Sequence, residues 1–153
     1  MKKLLVTGAI VLSSIFSAGA MAQMSDEDAA GAVKRRQAIF QILSYANGPL
    51  GQMARGGDFD AEAATLAAER VAMLAPMIPG LFMADTRSNN VESRAADTIW
   101  DNQADFAQLA MDLQEGAEAA LEILQSQGAS GVRQAVGQIG PKCGACHDRF
   151  RLD

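Results

Sequence analysis

Residues that build metal centres and disulfide frameworks are scarce: the chain has two cysteines and one histidine in 153 residues. Cys143 and Cys146 stand three positions apart, so a disulfide between them would close a very small loop and remove little entropy from the unfolded chain. A structural zinc site needs four ligands, and these two thiols with His147 leave it one short. The spacing of the two cysteines is therefore more typical of redox chemistry, metal binding or cofactor attachment.

Long apolar runs are missing after the first 22 residues, so no later stretch is predicted to span a bilayer. Residues 1–22 have the pattern of a cleaved signal peptide: Lys2 and Lys3, an uncharged apolar stretch, and Ala20-Met21-Ala22 as the cleavage site. An uncleaved membrane anchor is the alternative. Cleavage would leave one domain, residues 23–153, exported to the periplasm with no membrane segment.

Positive charge is also in short supply. Without Lys2 and Lys3, 11 of the 13 Lys and Arg residues remain against 18 Asp and Glu, which gives a formal net charge of −7. Such a surface argues against binding to nucleic acid and to anionic membranes. It suits solubility, which we favour as its explanation, and it also permits steering toward a basic protein partner.

The mature sequence instead has a helical pattern almost throughout, rich in Ala, Leu, Gln, Glu and Met and without strand-like alternation. A first helix is expected to start at a cap near Ser25 and to bend or end at Gly48-Pro49. A second helix is capped by Asp58 or Asp60 and ends near Pro76.

A third helix carries apolar residues at alternating steps of four and three, from Ile99 to a predicted end near Gly128. A fourth begins at about Ser130 and has Pro141 inside it, where a kink or restart is expected. Four helices with short links predict an all-α fold, an antiparallel four-helix bundle.

The chain closes with Cys143-Gly144-Ala145-Cys146-His147, the C-x-x-C-H signature for covalent attachment of haem c. The two sulfurs would form thioether bonds to haem, and His147 would be the axial iron ligand. A dithiol–disulfide oxidoreductase is one alternative, but that chemistry usually sits at a helix N-terminus after a strand. A zinc site completed by a carboxylate or a second chain is another. We favour haem attachment because it takes place after export in bacteria, so the predicted signal peptide is consistent with the motif.

Around this motif the sequence resembles the cytochromes c′, the class II c-type cytochromes. The resemblance covers essentially the whole mature chain and rests on Arg36-Gln37, on Ile99-Trp100 and on the nine residues from Cys143 to Arg151. It implies a four-helix bundle with one covalent haem c per chain near the C-terminus. It also implies high-spin, five-coordinate iron, and often a homodimer through the first two helices.

The resemblance places Phe40, four residues after Arg36, in the distal pocket over the open face of the haem. In low-spin relatives that position tends to be methionine, whose sulfur binds iron, whereas phenylalanine has no donor atom. The alternative for Phe40 is an ordinary core aromatic. Only residues 148–153 follow the motif, and none of them is a suitable axial ligand.

Further residues are predicted to contact the haem. Arg36 is a candidate partner for a propionate, and Gln37 for a polar contact. Thr86 and Arg87 lie in the loop that reaches the haem edge in relatives. Arg151, four residues after the axial histidine, is expected either on the proximal side of the haem or as a C-terminal arginine interacting with the helix dipole.

The function expected from the sequence is a periplasmic haem protein that binds small uncharged gases, chiefly nitric oxide and more weakly carbon monoxide. An apolar distal site disfavours water and anions, because their hydrogen bonds and charges would find no partner there. Electron transfer with an unidentified redox protein, without a gas ligand, is the alternative. Whether the chain is an enzyme stays open, although Phe40 offers no proton for turnover.

Overall fold

The computed structural model describes residues 24–152, so the predicted signal peptide lies outside the described residues. These residues form six α-helices: α1 (Asp26–Ala54), α2 (Ala61–Leu74), α3 (Ile78–Leu81), α4 (Thr98–Asp101), α5 (Gln103–Gln127) and α6 (Val132–Phe150). Short 3₁₀ segments, Ala75–Met77 and Gly128–Gly131, precede α3 and α6. In the described part of the chain, no helix is long and apolar enough to cross a membrane.

The start of α1 is as predicted, and its end is not. The Ser25 hydroxyl accepts a hydrogen bond from the backbone N–H of Asp28 at 3.1 Å, which caps the helix. The predicted end at Gly48-Pro49 is wrong, because α1 continues through Pro49 to Ala54, and the alternative, a bend, stays a prediction. Leu50 is fully buried, so core packing favours another helical turn over the local preference of proline.

The second helix is capped by Asp60, one of the two predicted residues, whose carboxylate accepts from the N–H of Ala63 at 3.0 Å. The third predicted helix is interrupted: α4 ends at Asp101, and Asn102 (φ −134°, ψ 42°) leaves the helical conformation before α5 begins. The predicted end near Gly128 is confirmed, since that glycine caps α5 with φ +56°.

The last helix, α6, runs from Val132 and is continuous through Pro141, so the restart predicted there is wrong, and the alternative, a kink, stays a prediction. The four long helices form the predicted antiparallel bundle, in which α5 packs against α2 and α6, and α1 packs against α2 and α6. Of these neighbouring pairs, α1 and α6 touch least, and a cavity lies between them.

Gly116 sets the distance between α5 and α6. A Cβ atom built on Gly116 would lie 2.5 Å from the backbone oxygen of Gln138 and 3.3 Å from Cγ of Lys142. Only a residue without a side chain allows the two helices to approach this closely. The contact lies one turn before Cys143, so it positions the part of α6 that carries the predicted haem motif.

Candidate functional site

The cavity between α1, α5 and α6 has a volume of about 530 Å³, within the range typical of sites for cofactors and small molecules. Most of its wall is apolar, and both cysteines and the histidine of the motif line it. The apolar part of the wall is formed by Val33, Phe40, Leu43, Val71, Ile78, Phe82, Ala95, Ile99, Phe106, Leu109, Ala110, Leu113, Ile139 and Phe150.

Cys143 and Cys146 lie well inside α6, three residues apart, so both sulfurs are on the face turned to the cavity. Neither is in a disulfide, and both are half-buried. Burial raises the pKa of both thiols, and the neighbouring Cys143 raises that of Cys146 further. A redox-active dithiol needs a thiol whose pKa is lowered, usually at a helix N-terminus. The raised pKa of both thiols and their position inside α6 therefore disfavour the oxidoreductase alternative.

His147 lines the cavity one residue after Cys146. Burial lowers its pKa, and the adjacent Arg151 lowers it further, while Asp148 acts in the opposite direction. One guanidinium nitrogen of Arg151 lies 3.2 Å from Nδ1 of His147.

Arg151 lines the cavity beside His147 and is also the C-cap residue of α6, while its place on the proximal side of the haem stays a prediction. Its backbone N–H donates to the carbonyl oxygen of His147 at 3.1 Å. The residue is exposed, so its side chain faces the cavity from the solvent side.

Phe40 lines the same cavity as His147, from α1. Its ring packs edge-on against Phe82, with centroids 6.3 Å apart, and Phe82 in turn contacts Phe106 at 4.7 Å. Phe106 continues to Phe150 at 5.3 Å, so four phenylalanines form one continuous wall from α1 to α6. Sequence reasoning identified only the first of them.

Arg36 is buried, 3% exposed, and holds the loop that follows α3. Its Nε donates to the carbonyl oxygen of Leu81 at 3.0 Å, one terminal nitrogen donates to the hydroxyl of Thr86 at 2.9 Å, and the other to the carbonyl oxygen of Ala84. The guanidinium also lies over the ring of Phe82, 4.7 Å from its centroid, and near Trp100. Burial lowers its pKa, partly offset by the nearby Asp85 carboxylate.

Sequence reasoning missed this loop-holding role, because every partner comes from 45 to 50 residues further along the chain. Arg36 still lines the cavity, and three of its five N–H groups are engaged with the loop. Its pairing with a haem propionate stays a prediction.

Thr86 and Arg87 do not line the cavity. Thr86 is buried against Arg36, as described above. Arg87 forms ion pairs of 2.7 Å with Asp85 and with Asp101 of α4, and the pKa of Asp85 is lowered by its hydrogen bonds to Arg87. The structure thus gives both residues a role in tying the loop to α1 and α4, and their contact with the haem edge stays a prediction.

Gln37 lines the cavity, as its position on the apolar seam predicts. Five polar residues that sequence reasoning did not assign to the site join it: Ser44, Asn47, Ser93, Arg94 and Lys142. The side-chain oxygen of Asn47 is buried without a hydrogen-bond partner. Arg94 could not be assigned from local pattern, because the backbone pairing of its loop with the C-terminus brings it to the cavity.

The residues present fit haem c. Two unpaired thiols share a face of α6 with a histidine, an extended apolar wall faces them, and the charged residues of the lining are cations that suit a dicarboxylate. Within residues 24–152, no three or more His, Cys, Asp and Glu side chains lie close enough together to hold a metal ion. The described residues therefore give no support to the zinc alternative. When bound, haem c supplies redox-active iron and a coordination position for a gas.

Comparison with known proteins agrees with this geometry. The sequence model of the cytochrome C′ family matches residues 31–151. The chain is 33% identical to the cytochrome c′ of Cereibacter sphaeroides over 146 residues, which cover 94% of this chain and 97% of that protein. It is also 33% identical to cytochrome c-556 of Agrobacterium tumefaciens strain B2A, over 80% of this chain and 98% of that protein.

A solved structure gives the same result for the fold. Cytochrome c′ from Shewanella frigidimarina superposes with a TM-score of 0.73 at 30% sequence identity, covering 83% of this chain and 98% of that one. The resemblance, the fold and haem c as the cofactor are thereby confirmed at the level of the family, and Cys143 and Cys146 fit the attachment motif. The chain belongs to the cytochrome c′ family.

Proposed function

We propose that this chain is a high-spin cytochrome c′ of the periplasm whose five-coordinate haem binds small uncharged gases, chiefly nitric oxide. The proposal includes cleavage of residues 1–22 as a signal peptide and attachment of haem c through Cys143 and Cys146 with His147 as the axial ligand. The single observation that carries it is the composition of the cavity wall opposite His147.

No methionine and no second histidine are among the described residues that line the cavity. We expect Phe40, which lines the cavity from α1 and has no donor atom, to stand where low-spin relatives carry a methionine ligand. Lys142 is the one amine of the lining, and it lies on α6, the helix that carries His147. These facts support a haem with one protein ligand and an open second position.

The surroundings of Phe40 favour uncharged ligands. Its ring packs against Phe82, and Leu43 is next to it on the cavity-facing side of α1. A water molecule or an anion there would lose hydrogen bonds or solvation without compensation, whereas a diatomic gas loses neither. The ring must still move aside, and this favours nitric oxide over the more weakly bound carbon monoxide.

Electron transfer without a gas ligand is the second candidate, because a covalent haem close to the surface supports it equally. Turnover of the gas as an enzymatic reaction gains little support, since no carboxylate lines the described cavity and Phe40 offers no proton.

The test uses the haem-loaded protein, matured in the periplasm, and its Phe40→Ala and Phe40→Met variants. The wild type should show a high-spin spectrum that shifts on addition of nitric oxide. Phe40→Ala should speed carbon monoxide binding about tenfold, because displacing a packed ring costs about 1.4 kcal/mol. Phe40→Met should give a low-spin spectrum that responds weakly to both gases, because the thioether can bind iron.

Phe59 offers a matched control, since it is 38% exposed and does not line the cavity. Phe59→Ala and Phe59→Met should leave the spectrum and both gas reactions unchanged. A wild-type spectrum that is low-spin and insensitive to nitric oxide would refute gas binding and favour electron transfer.

We also propose a homodimer formed through α1 and α2. Ile42 and Tyr45 on α1 are 50% and 78% exposed, and Met73 on α2 is 69% exposed, so apolar side chains stand in solvent on both helices. A cytochrome c′ of the same fold, 24% identical to this chain, undergoes ligand-controlled dimer dissociation. That behaviour belongs to the relative, and it shows that an association of this kind is compatible with the fold.

A further inference from the structure

The charged residues that line the cavity are all basic, although the mature chain has a net charge of −7. They are Arg36, Arg94, Lys142 and Arg151, and no Asp or Glu is among the described lining residues. Two of these charges can be balanced by the two carboxylates of haem. Two positive charges are then left at the cavity of an acidic protein, and this local excess needs an explanation of its own.

Three of the four cations lie where a partner can reach them. Arg94 and Arg151 are exposed and Lys142 is half-exposed, whereas Arg36 is buried. Backbone hydrogen bonds join the segment that carries Arg94 to the segment that carries Arg151. The N–H of Leu152 donates to the carbonyl oxygen of Arg94 at 2.8 Å, and the N–H of Ala96 donates to the carbonyl oxygen of Phe150 at 3.0 Å. The fold therefore places two like charges next to each other at the cavity mouth, which costs electrostatic energy.

No acidic side chain compensates these cations within residues 24–152. Arg87 forms two ion pairs and Arg149 forms one, all at 2.7 Å, but Arg94, Lys142 and Arg151 form none among these residues. Arg94 donates only to the carbonyl oxygen of Leu152. The acidic neighbours along the chain, Glu92 and Asp148, do not line the cavity, and the effect of Asp148 on His147 is smaller than that of Arg151.

We propose that Arg94, Lys142 and Arg151, the cationic rim, form the docking face for a redox protein that presents an acidic patch. A partner bound there would contact residues that line the cavity in which haem would be held. The net charge of the chain alone predicts the opposite preference, a basic partner. Local charge outweighs net charge at short range because salt screens distant charges more strongly than near ones.

The proposal rests on the haem-loaded protein exchanging electrons, and an inorganic probe tests it directly. Ferrous protein is mixed with hexacyanoferrate(III), and one electron passes to the anion to give ferric protein and hexacyanoferrate(II), with no bond made or broken. We expect the rate to fall as the ionic strength rises from about 10 mM to about 0.1 M, where the Debye length shrinks from about 30 Å to about 10 Å. The cationic oxidant tris(phenanthroline)cobalt(III) should show the reverse trend.

Charge reversal then identifies the rim. Arg94→Glu and Lys142→Glu should each slow the reaction with hexacyanoferrate(III) about tenfold at low ionic strength, as expected for loss of electrostatic steering. Arg133→Glu is the matched control: it makes the same change of charge at an exposed position of α6 that does not line the cavity, and should alter the rate far less.

A wild-type rate with hexacyanoferrate(III) that rises with ionic strength would overturn the proposal, and so would equal effects of Arg94→Glu and Arg133→Glu. If Lys142→Glu fails to attach haem, the rate of Arg94→Glu and the salt dependence of the wild type still test the proposal. Nitric oxide spectra of the wild-type protein separate this inference from gas binding. A wild type that binds nitric oxide but reacts faster with hexacyanoferrate(III) as the ionic strength rises would overturn the docking face and leave gas binding standing.

Discussion

The close approach of α5 and α6 at Gly116 predicts that Gly116→Ala destabilises the bundle. A Cβ at this position would lie 2.5 Å from the backbone oxygen of Gln138, which is 0.9 Å short of the 3.4 Å at which ordinary contact begins. The obstacle is a backbone carbonyl within α6, which cannot rotate away as a side chain could. The two helices must therefore separate, or the carbonyl must tilt out of its helical position.

Two opposing energies decide the size of the effect. Forcing an extra methyl group into a closely packed contact costs about 1–3 kcal/mol. Alanine in a helix is more favourable than glycine by about 0.5–1 kcal/mol, which offsets part of this cost. We expect a net loss of about 1–2 kcal/mol in the free energy of unfolding.

Urea unfolding of the haem-loaded protein, followed by far-UV circular dichroism, measures this loss. Gly137→Ala is the control, because Gly137 is an exposed position of α6 where an added Cβ meets nothing within 4 Å. That variant should gain about 0.5–1 kcal/mol from helix propensity alone. Equal unfolding free energies for the two variants would refute the account of Gly116, since they differ only in the contact with Gln138.

Two further predictions concern α1. Arg36→Lys keeps the charge but loses the planar set of donors that binds Leu81, Ala84 and Thr86, so the free energy of unfolding should fall by about 2–4 kcal/mol and hydrogen exchange of residues 82–89 should accelerate. Arg35→Lys, at an exposed neighbour, should change neither quantity. Tyr45→Glu should convert the proposed dimer to a monomer in light scattering across a concentration series, whereas Met111→Glu on α5 should not; a wild type that is already monomeric would contradict the proposed interface.

The helices that sequence could predict are those whose signals are local. Ser25 and Asp60 cap their helices with their own side chains, and Gly128 supplies the positive φ that ends α5. The helix end expected at Pro49 is wrong because Leu50 gains more from burial than the chain loses by keeping proline in a helix. Local sequence preference therefore predicts a helix end where no long-range contact opposes it. Elsewhere, as at Pro49, packing against the core decides where the helix ends.

The candidate site divides in the same way. Cys143, Cys146 and His147 are neighbours in sequence, so their common face on α6 followed from spacing alone. Arg94 reaches the cavity because its loop pairs with the backbone of residues 150–152, more than 50 residues away. No local pattern carries such information, and Gly116 was missed for the same reason, since its importance lies in Gln138 of another helix.

The half-buried position of the two motif thiols has a consequence for how the protein is assembled. Burial raises the pKa of Cys143 and Cys146, so in the closed bundle both sulfurs are less reactive and less accessible than in an extended chain. We therefore expect covalent attachment to be fastest while α6 is still apart from α1, with closure of the bundle following it. In this order of events α6 receives its cofactor before the rest of the bundle completes its core.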